Sequence, residues 1–343
     1  GSNALAFRAL DEQGAVVGNA TLTVTYTGSP VSLEGKLLIS EIMYHPAAPA
    51  SSFIEILNLS PTETLPLGGL RVDGIDATIG HGRFIAPGGY AVVAKSLPGY
   101  QSSYGNAEAV VAEFNGTLDN GGETLSLQWK DGTNTIVLDQ VTYDDDPPWP
   151  AAADGAGASL QLIHVFRDND RIGNWTAIEP GSTLPLATPG QTNNVTAPLP
   201  EFPFLWINEV MPSNTSALAD NAGEFDPWIE LFNAGSNATD LTGCHLSGDP
   251  SNLRQWAFPD GSMIGPGERL LVWADAQPGQ TDGPHLHAAF RLDSGSGTVV
   301  LAWHHLGRTL VLDAISYADL PADCSYGSYP DGAPHARRVF HNP

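Results

Sequence analysis

Two short stretches decide the fold: residues 38–43 read LISEIM, and residues 53–58 read FIEILN. Both recur in the second half of the chain, as WINEVM at residues 206–211 and WIELFN at residues 228–233. They are rich in β-branched and aromatic residues and lack helical periodicity, which is typical of strands. They therefore predict two copies of one domain that opens with the same two strands.

The repeat continues in order along the chain. Further matched segments are residues 85–88 (IAPG) with 264–267 (IGPG), residues 137–139 with 311–313 (both VLD), and Tyr143 with Tyr317. The separation between matched residues is 168 for Ile39 and Ile207 and 179 for Ile85 and Ile264, so it changes only modestly. A period this long indicates two whole domains and not a solenoid of small repeats.

The repeat also gives the predicted boundaries. We expect a first copy over residues 36–194, a linker over residues 195–203 (VTAPLPEFP), and a second copy over residues 204–343. Pro-rich segments favour extended, semi-rigid spacers. Residues 1–30 stand apart: we expect a cloning remnant (GSNA) followed by the last hairpin of an upstream immunoglobulin-like module.

Many short β-prone stretches separated by Gly, Pro, Asn and Asp predict an all-β protein with hardly any helix. Apolar residues at matched strand positions are the predicted core, because both copies keep them apolar. These residues are Ile39, Ile54, Ile56, Leu127 and Val141 in copy one and Ile207, Ile229, Leu231, Leu301 and Ile315 in copy two.

The ordered motifs resemble those of the lamin tail domain. The closing motifs of that family are present as SYGSYPDG at residues 325–332, and as Trp175 with TPGQTN at residues 188–193. The resemblance implies two tandem immunoglobulin-like β-sandwiches from a large exported bacterial protein, acting as interaction modules without catalytic residues. Copy one departs from the pattern with GASL at residues 157–160. Copy two stops before the Trp and Thr-Pro-Gly ending, so we expect the natural chain to continue and this ending to be an edge coil.

Charge and composition exclude several classes of function. The net charge is −24 and the pI about 4.4. Such a surface repels phosphate backbones and anionic membranes, so we expect no direct nucleic-acid binding and no membrane insertion. We expect a monomer that is extracellular or on the cell surface, with a protein or polysaccharide surface as its partner. Cys244 and Cys324 fit either a reduced buried pair or one disulfide, and Cys244 aligns with an apolar strand position, Leu70.

Clustered acidic residues are the candidates for a metal site. Residues 220–226 (DNAGEFD) form an acidic loop in copy two alone, and Asp220, Glu224 and Asp226 offer oxygen ligands for weakly bound Ca²⁺. The run DDD at residues 144–146 is a weaker candidate. The alternative for both is a solvated turn, and no other cofactor is expected.

Two further interpretations concern glutamates and histidines. Glu41, Glu55, Glu209 and Glu230 recur at matched positions, which fits either an acid/base pair or structural hydrogen bonding. His285, His287, His304 and His305 lie in strand-like segments and allow a zinc site only if they converge. The structural reading is favoured in both cases, because no cleft or triad motif accompanies these residues.

Tryptophans give the second candidate function. Trp149 and Trp256 lie in Pro- or Gly-flanked segments, where we expect exposed rings able to bind sugars or proteins. Three functions thus stand side by side: a non-catalytic interaction or spacer tandem, a carbohydrate-binding accessory pair, and a metal-dependent enzyme fragment. An exposed aromatic strip favours the second and a deep pocket of carboxylates or histidines the third, whereas smooth domains without a cleft favour the first.

Overall fold

The computed structural model describes residues 2–25, 31–131 and 133–341. Strands account for 41% of the chain and helices for 6%, so the predicted all-β class is confirmed. The chain divides into two compact units, residues 1–34 and residues 35–343. None of the helices in the described ranges is long and apolar enough to cross a membrane.

The first unit is a single hairpin. Strand β1 (Ser2–Leu10) pairs antiparallel with β2 (Val16–Thr25), and Leu5 lies opposite Leu22. The turn closes because Asp11 Oδ1 accepts from the backbone N–H groups of Gln13 and Ala15. β1 begins at Ser2, so the strand includes residues predicted to be a cloning remnant.

Copy one contains three sheets. The strands are β3 (Leu37–Met43), β4 (Phe53–Asn58), β5 (Leu65–Pro66), β6 (Arg71–Asp73), β7 (Ala77–Thr78), β8 (Phe84–Ile85), β9 (Tyr90–Ala94), β10 (Val110–Glu113), β11 (Glu123–Asp131), β12 (Asn134–Tyr143), β13 (Leu160–Leu162) and β14 (Trp175–Thr176). Their order is β10-β9-β4-β3-β13-β14 in a six-stranded sheet, β12-β11-β6-β7 in a four-stranded sheet, and β5-β8 in a small pair. One helix, α1 (Leu97–Tyr104), and 3-10 turns at Ala107–Ala109, Ala151–Ala153 and Ile172–Asn174 complete this copy.

Copy two repeats this plan strand for strand. Its strands are β15 (Leu205–Met211), β16 (Trp228–Asn233), β17 (Thr239–Asp240), β18 (Cys244–Ser247), β19 (Trp256–Ala257), β20 (Met263–Ile264), β21 (Arg269–Trp273), β22 (Leu286–His287), β23 (Ser296–His305), β24 (Arg308–Ala318), β25 (Ser325–Ser328) and β26 (Arg337–Phe340), with a 3-10 turn at Pro278–Gln280. The sheets have the orders β22-β21-β16-β15-β25-β26, β19-β18-β23-β24 and β17-β20. The edge pairs β9/β10 and β21/β22 are both parallel. The predicted tandem repeat therefore has a structural counterpart at every strand.

The core matches the sequence expectation. All ten residues predicted to be core are buried. In copy two a single hydrophobic cluster contains Ile229 of the six-stranded sheet and Leu301 of the four-stranded sheet. The two sheets therefore share one apolar interior, while the sandwich geometry itself stays a prediction.

A buried arginine of copy one joins the two copies. Arg171 Nη1 donates to the carbonyl oxygens of Leu205 (2.6 Å) and Leu312 (3.3 Å), and Nη2 donates to that of Pro203 (3.1 Å). Its guanidinium carbon lies 3.4 Å from the ring centroid of Trp206. Because guanidinium presents several donors in a fixed plane, one side chain can satisfy three carbonyls and stack on a ring. The copies thus share a fully buried contact.

The segment predicted as a linker packs against its surroundings. Leu199 and Phe202 are buried in the hydrophobic cluster of copy two. Arg167 Nε donates to the carbonyl oxygens of Leu199 and Pro200, at 3.1 and 3.0 Å. The proline run is therefore an ordered joint, and the predicted domain boundaries stay a prediction.

Both cysteines are free and buried, so the reduced pair is the alternative that the structure contains. Cys244 lies in β18 opposite Trp303 and is buried, as predicted. Burial raises the pKa of its thiol to about 12. Cys324 Sγ lies 3.3 Å from His341 Nδ1.

Candidate functional site

The polar residues that recur between the copies bind the backbone. The Asn58 side-chain amide donates to the carbonyl oxygens of Glu63 (2.8 Å) and Ala86 (2.9 Å). The matched Asn233 donates to those of Asn237 (2.8 Å) and Ile264 (3.0 Å). Each asparagine therefore closes the loop after its strand onto the Pro-Gly turn.

The matched Val-Leu-Asp segments have the same kind of role. Asp139 Oδ2 accepts from the N–H of Ile39 at 2.7 Å, and Asp313 Oδ2 accepts from the N–H of Ile207 at 2.9 Å. Each aspartate thereby links the last long strand of its copy to the first. Burial raises the pKa of Asp139 to about 7. Its fixed acceptor role explains why a carboxylate recurs at a buried position.

The matched glutamates of copy one lie opposite each other on two neighbouring strands. Glu41 lies opposite Glu55 in the register of β3 and β4, next to a bulge at Ser40. Both side chains are fully buried. Burial raises the pKa of both carboxyls, and the charge of Glu41 adds to the rise at Glu55.

The segment 188–193 covers this pair. Glu41 Oε1 accepts from Ser159 Oγ (2.5 Å) and from the N–H of Thr188 (2.8 Å), and Glu55 Oε2 accepts from the N–H of Gly190 (2.6 Å). The segment lies in no strand, as predicted for the closing segment. Since backbone and hydroxyl donors occupy these carboxylate oxygens, the arrangement supports the structural reading over acid/base chemistry.

Copy two places the same pair nearer to solvent. Glu209 lies opposite Glu230 beside a bulge at Asn208, and Ser325 Oγ donates to Glu209. Burial raises the pKa of both carboxyls, while the charge of Arg269 lowers it. Ser325 corresponds to Ser159, so the Ser-Tyr-Gly stretch aligns with residues 159–161 by strand register.

The predicted acidic loop brings its three carboxylates together. One oxygen each of Asp220, Glu224 and Asp226 lies within 4.8 Å of the others. Asp220 Oδ1 accepts from the N–H groups of Ala222 and Glu224, both at 2.8 Å, which curls the loop. This loop lies in the connection between β15 and β16, which is seven residues longer than the one between β3 and β4.

A second loop, residues 275–280, lies against the acidic loop of residues 220–226. Asp220 is also grouped within 4.8 Å with Asp275 and His287. His287 is fully buried, with Nδ1 2.6 Å from Asp275 Oδ2 and Nε2 2.7 Å from Asn221 Oδ1. Asp275 has no sequence signature as a candidate, because 48 residues separate it from Asp226 at the end of the acidic loop.

The remaining titratable candidates do not form one site. His304 Nδ1 lies 3.0 Å from Thr309 Oγ1, whereas the ring of His305 stacks on Trp303. His285 is exposed while His287 is buried, so these histidines have separate environments. The carboxylates of residues 144–146 do group within 4.8 Å, in the loop after β12.

The expected exposure of two tryptophans is wrong. Trp256 is buried because β19 pairs with β18 and directs its ring onto Phe258, 4.8 Å away between centroids. Trp149 is buried in the proline-rich loop, beside a groove that Ile172 of copy one and Asp313 of copy two also line. A sugar platform needs an exposed ring face, so the carbohydrate alternative loses the residues that suggested it.

Comparison with known proteins gives the family. The sequence profile of the Lamin Tail Domain matches residues 30–145 and 200–318, one match in each copy. No curated protein matches the chain. Lamin tail domains are non-enzymatic, immunoglobulin-like interaction modules. Because the two matches together cover more than half of its length, this chain belongs to the lamin tail domain family.

Proposed function

We propose that this chain is a non-catalytic, rigid connector and interaction tandem within a larger exported protein of bacterial type. The observation that carries the proposal is the use of the recurring polar residues. Asn58, Asp139 and Glu41, like their counterparts in copy two, bind backbone or neighbouring side chains. A module whose recurring polar residues stabilise its own loops acts as a scaffold, and its partners bind the outer surface.

The joint between the copies supports a rigid connector. Arg171 has 1% of its surface exposed and binds the carbonyl groups of Leu205 and Leu312 in copy two and that of Pro203 in the joint. Leu199 and Phe202 of the joint are buried in the same copy. Loss of such a contact leaves buried acceptors without donors, which opposes hinge motion.

Charge supports an extracellular or cell-surface setting. A net charge of −24 with only 14 lysines and arginines keeps the surface acidic and favours basic partner surfaces or cations. The partner we propose is therefore a protein or polysaccharide surface, with each copy folded as a sandwich. The hairpin of residues 2–25 is proposed as part of an upstream immunoglobulin-like module, because two strands alone rarely form a stable fold.

Distance measurements test the rigid connector. Spin labels are attached through Ser102→Cys in copy one and Asp260→Cys in copy two, both at exposed positions. The native thiols are buried, so the parent chain is the control and should take up no label. We expect one narrow distance distribution, which Arg171→Ala broadens. A broad distribution in the parent background would overturn the rigid connector.

Surface labelling tests the setting. Antibodies against the tandem, applied to intact cells and to culture supernatant of the native source, should detect the protein before lysis. Detection only after lysis would overturn the exported role without affecting the rigidity result.

A further inference from the structure

Four buried acceptor oxygens in two loops of copy two lack a partner. Within the described residues, Asp220 Oδ2, Asp226 Oδ2, Gln277 Oε1 and Gln280 Oε1 are inaccessible to solvent and accept no hydrogen bond. Buried polar atoms in native proteins nearly always have a partner, and a bound ion is one kind of partner. Asp226 is 6% exposed, so its free oxygen cannot turn to bulk water.

The two loops that carry these oxygens touch each other. Gln280 Nε2 donates to Glu224 Oε2 at 3.0 Å, and Asn221 Nδ2 donates to the carbonyl oxygen of Gln280 at 3.0 Å. One carboxylate oxygen each of Asp220, Glu224 and Asp226 lies within 4.8 Å of the others. Three carboxylates therefore converge in one loop, and the side chain of Gln280 reaches one of them from a second segment of the chain.

The charges at this place do not balance. Asp220, Glu224, Asp226 and Asp275 contribute four carboxylates. Among the described residues, Arg291 Nη1 donates to Asp226 Oδ1 at 2.7 Å and His287 Nδ1 lies 2.6 Å from Asp275 Oδ2, so no ion pair reaches the carboxylates of Asp220 and Glu224. A divalent cation between the loops would offset this negative charge and give the free oxygens of Asp220, Asp226 and Gln280 a common partner.

The donor set selects the cation. The candidate ligands, three carboxylates and the amide oxygen of Gln280, are all oxygens, which suit Ca²⁺, whereas structural zinc sites use nitrogen and sulfur. Mg²⁺ demands near-ideal octahedral geometry and keeps several of its own waters. Side chains from two irregular loops do not provide that geometry, whereas Ca²⁺ accepts a flexible one. His287 faces Asp275 and Asn221 through its two nitrogens, so it orients the loops and is no ligand itself.

We propose that copy two binds one Ca²⁺ ion between residues 220–226 and residues 275–280. Its ligands are the carboxylates of Asp220, Glu224 and Asp226 and the side-chain carbonyl of Gln280. The Asp275–His287 pair does not bind the ion; it holds Asn221 and residues 275–280 in position. The dissociation constant we expect is about 10⁻⁴–10⁻³ M, as in other modules that work at extracellular calcium levels.

Calorimetric titration of the whole chain tests the proposal. After EDTA treatment and dialysis, the chain is titrated with CaCl₂ and, separately, with MgCl₂. We expect one Ca²⁺ per chain and a rise in melting temperature of roughly 3–8 °C at saturating Ca²⁺. Hydrogen exchange should slow in residues 220–226 and 275–280. The absence of a calcium response, or an equal response to Mg²⁺, would overturn the proposal.

Asp226→Asn is the decisive variant, because it removes charge and keeps an oxygen for Arg291. We expect it to lose at least tenfold in Ca²⁺ affinity while melting without Ca²⁺ at or above the temperature of the parent chain. A merely structural role predicts the opposite, a lower melting temperature with the Ca²⁺ response intact. Glu224→Gln, at an exposed position, gives the same answer if Asp226→Asn does not fold.

Asp249→Asn is the matched control. Asp249 also caps a turn of copy two, through the N–H of Ser251 at 2.9 Å, but lies outside the cluster. We expect its Ca²⁺ affinity to equal that of the parent chain. An equal loss of affinity in this variant would assign the response to diffuse surface charge and overturn the site.

Discussion

The guanidinium of Arg171 stacks on the indole of Trp206, 3.4 Å from the ring centroid, although the two residues belong to different copies. The same guanidinium binds the carbonyl oxygens of Leu205, Leu312 and Pro203. Removing it leaves three carbonyls beside a cavity, which makes this contact a direct probe of coupling between the copies.

Arg171→Ala should lower the free energy of unfolding by about 3–5 kcal/mol, because a buried, multiply bonded side chain is lost. Urea melts followed by tryptophan fluorescence measure the change, and we expect the single transition to separate into two. Arg71→Ala is the control: this half-exposed residue pairs with Asp73, so its loss should cost less than about 1 kcal/mol. Equal effects of the two substitutions would contradict the coupling.

The buried carboxyl of Glu41 predicts a pH dependence. Burial raises its pKa above the ordinary value of 4.5. The folded state therefore keeps a proton that the unfolded chain releases, and the free energy of unfolding falls as pH rises above about 4.5. The limiting slope is about 1.4 kcal/mol per pH unit for each proton. Asp139, whose pKa burial raises to about 7, adds a slope of the same sign.

Glu41→Gln should reduce that slope between pH 5 and pH 7. Its amide oxygen can still accept from Ser159 and the N–H of Thr188, and its nitrogen can donate to Thr188 Oγ1. Urea melts at several pH values give the comparison. Glu63→Gln, at an exposed carboxylate whose pKa Lys36 lowers, should leave the slope between pH 5 and pH 7 unchanged. A variant slope as steep as the parent slope would refute the assignment to Glu41.

Replacing either of the matched asparagines by alanine should lower the stability of its copy by a similar amount. Asn58→Ala and Asn233→Ala each remove an amide that donates to loop carbonyls, so each should destabilise its copy by about 2–4 kcal/mol. Thermal melts of the two single variants are the measurement. Asn115→Ala, at an exposed position, should change little. A large loss of stability in one copy alone would show that the two asparagines do not have equivalent structural roles.

Core truncation tests the register of the repeat. Ile54→Ala and Ile229→Ala should each cost about 2–5 kcal/mol, because both side chains are fully buried at equivalent strand positions. Val137→Ala, at an exposed strand position, is the control and should cost below about 1 kcal/mol. Urea midpoints for Ile54→Ala or Ile229→Ala that match the parent chain would be incompatible with these core positions.

Thiol counting checks the cysteine assignment. Cys244 and Cys324 are free and buried, so a thiol reagent should react with neither in the folded chain at neutral pH. Under denaturing, non-reducing conditions it should titrate two thiols. A count of zero after denaturation would mean that the two are bridged.

The strand plan could be predicted because its determinants are local. The apolar, β-prone residues around Ile54 and Ile229 identify their strands, and the repeated motif shows which positions of the two copies correspond. The partners of the polar residues could not be predicted in this way. Glu41 and Thr188 are far apart in sequence, and only packing of the closing segment over β3 brings them together.

The candidate site divides in the same manner. Asp220, Glu224 and Asp226 share one loop, so their clustering was visible as a run of oxygen ligands. Gln280 comes from another loop, and an isolated glutamine has no sequence signature. The exposure predicted for Trp149 and Trp256 is wrong because flanking proline and glycine mark turns, while burial depends on what the turn packs against.

The contact between Glu41 and Thr188 spans 147 residues. A ribosome adds roughly 5–20 residues per second, so roughly 7–30 s separate the synthesis of these two residues. During that interval the glutamate pair has no closing segment above it, so Glu41 lacks the N–H of Thr188 and Glu55 lacks that of Gly190. The first strands of copy one therefore remain open to water, chaperones and wrong partners until its last loop has been made.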